Sequence, residues 1–350
     1  MTAVVSTDLT AAADILQRGG LVAFPTETVY GLGANALSTE AVARVFEVKG
    51  RPHFDPLIVH LHDRKQLPEF VADWPDLARK LTDHFWPGPL TIIVPKTDLI
   101  PDLVTAGGPY VGVRMPDHPL ALALLKQTGL PLAAPSANRF GRLSPTEAAA
   151  VAEQLGDRID LILDGGPCRV GVESTVVFPT NGGLQLLRPG GITLEELEAV
   201  AGPVQVLARQ PSASRETSTS TPLADRELAS SSETPPVGLL SPGTLPQHYA
   251  PRTPLSIATS LPAVPQGQRW GLLCLRRPDT HRDVEFPGTD WAVVEELSAT
   301  GDLRQATSRF FAALRRLDHA GLDQIIALPL PETGLGRALN DRLQRAAASR

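Results

Sequence analysis

Short apolar runs alternate with amphipathic segments through the first two hundred residues of the chain. Apolar runs bounded by turn residues predict strands, and apolar positions three or four residues apart predict helices. The predicted strands are residues 21–24, 57–61, 90–94, 110–114, 161–163, 174–178 and 184–187. The predicted helices are residues 9–18, 39–48, 76–85, 119–127, 145–154 and 194–199. This mixture indicates an α/β domain built around one twisted sheet.

Three helix ends carry local signals. Ser144 and Glu147 have the spacing of a capping box, with a proline at the first helical position, and predict a helix start there. Thr193 and Glu196 repeat the capping-box spacing. Gly19 is placed to end the first helix in a left-handed conformation.

The composition changes at about residue 208. Residues 208–237 are rich in Ser, Thr, Pro, Ala and Glu, and they have too little apolar surface to offset the entropy lost on ordering. They therefore predict a flexible linker. A second set of elements follows, with strands at 270–275 and 324–328 and helices at 303–317 and 336–347. The chain is predicted to contain a domain at residues 1–205, a linker at 206–252 and a small α/β domain at 253–350.

Composition narrows the class of protein. The net charge of −6 argues against a broad basic surface that coats nucleic acid, although a local pocket needs only a few cations. The 2 cysteines exclude a disulfide framework and fit a reducing compartment. Because we find no secretory signal and no apolar stretch of about 20 residues, we expect a cytoplasmic protein with no membrane partner.

The sequence lacks the common signatures of nucleotide-binding loops, zinc sites and nucleophile elbows. Instead, residues 24–34 join a predicted strand to hydroxyls and glycines that would let a small polar ligand approach the backbone. Taken alone, this segment is more simply an ordinary turn. Lys49 and Arg51 flank a glycine after the second predicted helix, where they would either clamp a phosphate chain or answer the helix dipole. His60 ends the next strand, where a lone histidine is more often structural than catalytic.

Further polar groups stand at other strand ends. Ser136 and Asn138 follow a strand-like run and lead towards the predicted helix start at Ser144, an arrangement typical of an anion cradle. Arg114 and Arg188 each end a predicted strand. Cations at several separate strand and helix ends, in an acidic chain, indicate one focused anionic pocket.

The order of these segments closely resembles one enzyme family. Pro-Thr-Glu-Thr-Val-Tyr-Gly-Leu-Gly from residue 25 is followed by Lys-Gly-Arg-Pro, Pro-Leu-Ile-Val-His, Ser-Ala-Asn, Glu-Ser-Thr-Val-Val and Leu-Arg-Pro-Gly. This ordered set is similar to that of the YrdC-like threonylcarbamoyl-AMP synthases over about residues 10–200. The segment around residues 241–251 and the trailing domain resemble the long, two-domain form of that family.

The resemblance implies a fold, a reaction and a set of binding residues. The fold is a YrdC-like twisted mixed sheet with helices and a concave basic surface, plus a smaller Rossmann-like α/β domain. The reaction is that of a nucleotidyltransferase, which converts L-threonine, bicarbonate (or CO2) and ATP into threonylcarbamoyl-AMP and pyrophosphate. This is the first step of threonylcarbamoyladenosine formation at position 37 of tRNA. The implied threonine-binding residues are Thr28, His60, Arg114 and Ser174. The implied nucleotide-binding residues are Lys49, Arg51, Ser136, Asn138, Ser144 and Arg188, with His248 and Tyr249 as lid residues.

The resemblance also bears on cofactors and partners. Mg²⁺ is expected to arrive with ATP, because the sequence shows no dedicated cage of carboxylates. The expected recipient of the product is a tRNA threonylcarbamoyl transferase, with at most weak contact to tRNA or double-stranded RNA. We assign no catalytic residue and no resident metal ligand.

Two positions depart from the family pattern. Asp55 stands where the family often has Asn, and a carboxylate there would weaken phosphate binding unless it engages a metal or Lys49. Residues 244–247 are Thr-Leu-Pro-Gln, whereas the family's gate-like segment commonly carries Lys and Arg. An ionic gate is therefore in doubt.

Three rival interpretations fit less well. A carbamoyl-adenylate enzyme of the hydrogenase-maturation type would need cysteine-rich zinc motifs, which 2 cysteines cannot supply. A non-catalytic RNA-binding module is disfavoured by the acidic charge and by the complete set of small-ligand positions. A purely structural protein would leave the cations at strand ends unexplained.

Overall fold

A computed structural model describes residues 3–206, 241–243, 248–277 and 291–348 of the chain. The predicted flexible linker at 208–237 and the Thr-Leu-Pro-Gln segment at 244–247 lie outside the described residues. The described part falls into a large mixed sheet with its helices and a smaller parallel sheet with its own helices.

The first part of the chain forms the large sheet. Its strands are β1 (Val4–Ser6), β2 (Val22–Phe24), β3 (Gly31–Asn35), β4 (Ile58–His60), β5 (Leu90–Pro95), β6 (Tyr110–Arg114), β7 (Leu132–Ala133), β8 (Leu161–Leu163), β9 (Thr175–Thr180), β10 (Gly183–Arg188) and β11 (Val204–Val206). Its helices are α1 (Leu9–Gln17), α2 (Thr39–Lys49), α3 (Leu67–Phe70), α4 (Asp76–Phe85), α5 (Pro119–Thr128), α6 (Ala148–Leu155) and α7 (Leu194–Ala201). The strand order is β1-β8-β2-β3-β7-β4-β6-β5-β9-β10-β11. The predicted α/β class with a mixed sheet is confirmed.

Apolar helix faces cover both sides of this sheet. Helices α1 and α5 pack against Phe24 and its neighbours on β2, while α2, α4 and α6 contribute to a larger aliphatic cluster that includes Val59 and Val113. Burial on both faces explains why the strands read as continuous apolar runs rather than as alternating patterns.

The glycine-rich segment after β2 differs from the prediction. Residues 25–30 turn, but the chain then returns as β3, antiparallel to β2, which the prediction missed. A Cβ on Gly33 would lie 2.9 Å from Cε1 of Phe24. This glycine therefore makes room for an aromatic ring on the neighbouring strand, and its place in the sequence reflects packing.

The predicted helix start at Ser144 is wrong. Helix α6 begins at Ala148 after Glu147, and no side-chain cap forms there. The hydroxyl of Ser144 instead donates to Oε1 of Glu173, 2.5 Å away. A tertiary hydrogen bond has displaced the local capping box. The capping box of Thr193 at α7 and the left-handed Gly19 after α1 are both confirmed.

The C-terminal part forms a small parallel sheet. Its strands are β12 (Leu255–Ile257), β13 (Trp270–Cys274), β14 (Val293–Glu296) and β15 (Gln324–Ala327), in the order β12-β15-β13-β14. Its helices are α8 (Leu303–His319) and α9 (Gly336–Ala347). The predicted smaller α/β domain is confirmed, although β12 and β14 were missed because they are short and only partly apolar.

The two parts share a packed interface. Val29 and Leu143 from the first part lie in the hydrophobic cluster of the second part, together with Phe310 and Phe311 of α8. Gly171 approaches the backbone of α8 so closely that its φ of +80° and its missing side chain are both needed there. The C-terminal part is thus seated directly against the turns that carry the candidate site.

None of the helices in the described part of the chain combines the length and the apolar character needed to cross a bilayer.

We predict that Gly171→Ala weakens the seating of the C-terminal part. The new Cβ would lie 2.5 Å from both Ser308 Cα and Thr307 O, at a φ of +80°. Left-handed strain and overpacking together should lower the free energy of unfolding by about 2–4 kcal/mol, measured by urea denaturation. The matched control is Gly129→Ala, which has a φ of +68° but nothing within 4 Å, and should cost only the strain. Equal losses in both variants would contradict the close approach.

Candidate functional site

A narrow cavity of about 50 Å³ lies where several strand ends of the large sheet meet the segment that enters the second part. Its walls come from the turn after β2, the ends of β4 and β6, the start of β9, the end of β10 and the residues around 242 and 249. The lining residues are Thr26, Thr28, Val29, Gly31, Arg51, Ile58, His60, Arg114, Ala134, Pro135, Ser136, Glu173, Ser174, Arg188, Pro242, Gly243, His248 and Tyr249.

The register of the sheet places two of the predicted residues side by side. His60 and Arg114 are direct partners in the parallel pairing of β4 with β6. Nη2 of Arg114 donates to Oγ1 of Thr28 at 3.0 Å and lies 2.7 Å from Oε2 of Glu27. Glu27 is fully buried, so this ion pair fixes the guanidinium at the cavity wall.

Arg188 connects the start of β9 to the entering segment. Its Nη2 donates to the carbonyl of Ser174 at 2.9 Å and to its hydroxyl at 3.1 Å. Its Nη1 donates to the carbonyl of Pro242 at 2.8 Å. The Ser174 hydroxyl is also 2.8 Å from that of Thr91 on β5. Arg188 therefore orders a predicted threonine-binding hydroxyl and holds Pro242 of the entering segment in place.

The structure shows which cation of the Lys49–Arg51 segment pairs with the carboxylate of Asp55. Nη2 of Arg51 lies 2.9 Å from Oδ2 of Asp55, and both side chains are buried. Nζ of Lys49 donates instead to the carbonyls of Ser136 and Asn138, each at 2.5 Å. Asp55 thus engages Arg51, whereas Lys49 holds the loop after β7.

That loop is braced by residues that do not line the cavity themselves. The amide of Asn138 donates to the carbonyls of Arg139 and Arg142 at 2.8 and 2.9 Å. The hydroxyl of Ser144 is taken by Glu173. Three of the predicted nucleotide-binding residues therefore line the cavity directly, namely Arg51, Ser136 and Arg188. The other three support the residues behind the cavity surface, namely Lys49, Asn138 and Ser144.

The two predicted lid residues, His248 and Tyr249, line the cavity. Tyr249 has a φ of +62° and is buried, and the ring of His248 packs edge-on against it with centroids 4.1 Å apart. A Cβ on Gly243 would lie 2.5 Å from Oη of Tyr249, so only glycine permits this approach. The segment and the site are thus fitted to one another.

Burial among cations keeps both imidazoles of the site neutral. Burial, and then the nearby charge of Arg114, lowers the pKa of His60 to about 3. Burial and the cluster of cations around it hold the pKa of His248 well below its usual range. Burial also lowers the pKa of Lys49. Burial raises the pKa of Asp55, and the nearby charge of Arg51 partly opposes that rise. The cavity is an environment in which added negative charge is favoured near the cations.

Sequence reasoning missed several lining residues. Glu173 is buried and lines the cavity, and its place beside Ser174 in the Glu-Ser-Thr segment was the signal that the sequence offered. Val29 and Ile58 supply apolar wall, and their role depends on tertiary position. Among the described residues, no group of three or more His, Cys, Asp or Glu is arranged to hold a metal ion.

Two family models match the chain and together span most of it. Residues 14–190 match the Sua5_yciO_yrdC model, described as "Telomere recombination". Residues 192–348 match the model for the C-terminal domain of threonylcarbamoyl-AMP synthase.

Relatives named as enzymes align over nearly the whole chain. The threonylcarbamoyl-AMP synthase of Bacillus subtilis is 43% identical over 349 residues, covering 97% of this chain and 92% of the relative. The one of Pyrococcus abyssi is 39% identical over 340 residues, covering 97% and 94%. The crystal structure of P. abyssi Sua5 complexed with L-threonine superimposes with a TM-score of 0.81 at 36% identity, covering 100% of this chain and 98% of that one.

The neutral state of His60 predicts a pH dependence of stability. The unfolded chain binds a proton at this imidazole below about pH 6.5, but the folded protein does not until about pH 3. Stability should therefore fall as the pH drops below about 6.5, by up to about 1.4 kcal/mol per unit from this residue. Urea unfolding of His60→Asn should show a shallower decline between about pH 6.5 and 5 than the unsubstituted protein.

The control for this experiment is His84→Asn, which removes an exposed histidine on α4. Because this variant keeps the buried His60, it should decline more steeply than His60→Asn between about pH 6.5 and 5. His248 contributes a decline of the same sign, so some slope remains in His60→Asn. An unchanged slope in His60→Asn would contradict the neutral assignment.

Proposed function

The chain belongs to the threonylcarbamoyl-AMP synthase family, and we propose that it makes threonylcarbamoyl-AMP from L-threonine, bicarbonate (or CO2) and ATP. Pyrophosphate is released from ATP, and the oxygen lost from bicarbonate leaves as water. The enzyme is a nucleotidyltransferase, because an adenylyl group passes from pyrophosphate to the carbamate of threonine.

One observation carries this proposal. The four residues expected to hold threonine and three of those expected to hold the nucleotide converge on a single cavity, although they come from separate elements. Two hydrogen-bonded pairs, Arg114 with Thr28 and Arg188 with Ser174, contribute polar groups to its wall. A chain that had kept this fold for a structural purpose alone would not need so many buried cations at one place.

The threonine end of the site is assigned to the wall around Arg114. Its guanidinium is suited to the amino-acid carboxylate, and the hydroxyls of Thr28 and Ser174 are suited to short polar groups. Neutral His60 carries either a donor or an acceptor at each ring nitrogen, so it can contact substrate without adding charge. The buried ion pair with Glu27 fixes the guanidinium of Arg114 in this position.

The nucleotide end is assigned to Arg51, Ser136 and Arg188, with Lys49 fixing the loop between them. The carbamate and the phosphates of ATP are both anionic, so their encounter is opposed by mutual repulsion. Fixed guanidinium groups offset that repulsion and stabilise charge that develops as pyrophosphate leaves. Holding both anions in one orientation supplies a further share of the rate.

Mg²⁺ would reach the site on the phosphates of ATP. Asp55 and Glu173 lie among the cations, and each carboxylate already forms an ion pair with an arginine. They are therefore poor candidates for a resident metal site, and the phosphate oxygens would supply the ligands. The bound ion would neutralise phosphate charge.

The product is a mixed anhydride of carbamate and phosphate. We propose that it passes to a transferase that modifies adenosine 37 of tRNA, with at most weak contact between this chain and RNA itself. No side chain is assigned as a general base, because the amine can lose its proton during carboxylation.

The proposed reaction predicts a substrate-dependent release of pyrophosphate. Purified protein incubated with ATP, Mg²⁺ and bicarbonate should release pyrophosphate and form an adenylate when L-threonine is added. Serine and valine serve as controls, since each lacks one of the two groups on the threonine β-carbon. Release without any amino acid would indicate a nucleotide hydrolase instead, and no release with threonine would remove the proposal.

We predict that Arg188→Met lowers kcat/KM for ATP by about 10- to 100-fold. The substitution removes charge-assisted hydrogen bonds worth about 1.5–3 kcal/mol, and it loosens both Ser174 and the lid. Initial rates of pyrophosphate release measure the effect. The control is Arg44→Met, which removes a partly exposed arginine paired with Asp160 away from the cavity. Comparable rates in the two variants would exclude Arg188 from the nucleotide site.

A further inference from the structure

One arginine of the C-terminal part reaches the candidate site. Arg342 on α9 is completely buried, with 0% of its surface exposed. Its Nε donates to Oε2 of Glu173 at 2.9 Å, and its Nη1 donates to Oδ2 of Asp341 at 2.6 Å. Glu173 belongs to the large-sheet part and lines the cavity. The contact therefore joins the C-terminal part to the site itself.

The same guanidinium lies over the lid. Its Cζ is 5.0 Å from the ring centroid of Tyr249, within the range of a cation–π contact. Its third nitrogen, Nη2, has no hydrogen-bond partner among the described residues. The tyrosine ring is thus a further contact of the buried guanidinium. Because Tyr249 holds a φ of +62°, its backbone needs external contacts to keep this position.

The partner of Arg342 carries the wrong charge for the ligands proposed here. The carboxylate of Glu173 lies in a cavity that would admit the phosphates of ATP and a carbamate. Its Oε1 accepts only a neutral hydroxyl, from Ser144, so Arg342 supplies the compensating charge. Without that cation the carboxylate would repel the incoming anions across a poorly solvated space.

Seating of the C-terminal part does not by itself explain this arrangement. The interface has other contacts between residues that do not line the cavity, among them Arg337 with Glu195 at 3.7 Å and His319 with Glu153 at 2.9 Å. Arg342 differs from these because it contacts a cavity-lining carboxylate and a lid ring at once.

We propose that Arg342 is a positioning residue of the active site, which compensates Glu173 for anion binding and seats Tyr249 over the cavity. This inference rests on the proposed function for the identity of the anions. It gives the C-terminal part a defined role, since the site is complete only when α9 is docked.

The first test measures the KM for ATP and kcat in Arg342→Met, Glu173→Gln and the double variant. Arg342→Met should raise the KM for ATP by about tenfold or more, with a smaller change in kcat, as expected for a lost charge compensation of about 1.4 kcal/mol or more. Adding Glu173→Gln should recover most of that loss, because it removes the uncompensated charge. A merely structural role would give additive losses, and additivity would overturn the inference.

The control for this test is Arg337→Met, on the same helix. It breaks an interdomain ion pair that touches neither Glu173 nor Tyr249 and should leave the KM for ATP within about twofold. A KM increase in Arg337→Met equal to that in Arg342→Met would also overturn the inference, since general loosening of the domains would then explain both.

The second test is independent of activity. The substitution Ser241→Cys places a thiol at a buried position of the segment 241–243, whose Gly243 packs against Tyr249. Its rate of maleimide labelling reports on opening of this segment and the lid, against the low background of buried Cys168 and Cys274. Labelling should be several-fold faster with Arg342→Met and unchanged with Arg337→Met. Equal labelling rates would contradict the seating of the lid even if the enzyme is active. Absence of activity in the unsubstituted protein, with faster labelling in Arg342→Met, would instead reject the proposed function and keep the structural role.

Discussion

Three buried arginine–carboxylate pairs around one small cavity are the arrangement on which the site depends. Arg51 pairs with Asp55, Arg114 with Glu27 and Arg342 with Glu173. An isolated guanidinium or carboxylate at such depth would carry a desolvation penalty of several kcal/mol, so each charge requires its partner. The pairs hold the cations rigidly before any ligand arrives, and this preorganisation is what an anion-binding site needs.

The remaining cations are held by the backbone instead. Lys49 donates to two carbonyls of the loop after β7, and Arg188 donates to carbonyls on both sides of the cavity. A carbonyl satisfies the donor without cancelling the charge. Arg188 therefore keeps its positive charge at the cavity, and these two residues together hold the loop after β7, Ser174 and Pro242 in place. The strand register of the large sheet also shapes the site, because the pairing of β4 with β6 places His60 beside Arg114.

The C-terminal part completes the enclosure. Its hydrophobic cluster includes Val29 and Leu143 from the first part and Tyr249 from the lid. Packing of this part against the first therefore buries Tyr249 and also places Arg342 beside the site. The two family models that meet near residue 191 describe pieces that depend on one another in three dimensions.

The sequence by itself determined the fold class, most strands and helices, the ordered segments of the family and nine of the residues that line the cavity. These features depend on the spacing of apolar residues along the chain, on turn residues and on short segments. The residue types of such segments can be interpreted without knowing their partners in three dimensions. Only the tertiary structure decided that Gly33 makes room for Phe24, that Ser144 binds Glu173 instead of capping α6, and that Asp55 pairs with Arg51. It also decided that Arg342, more than 160 residues away in the chain, serves the site. Contacts of this kind are set by how sheets and domains pack, and no spacing along the chain encodes them.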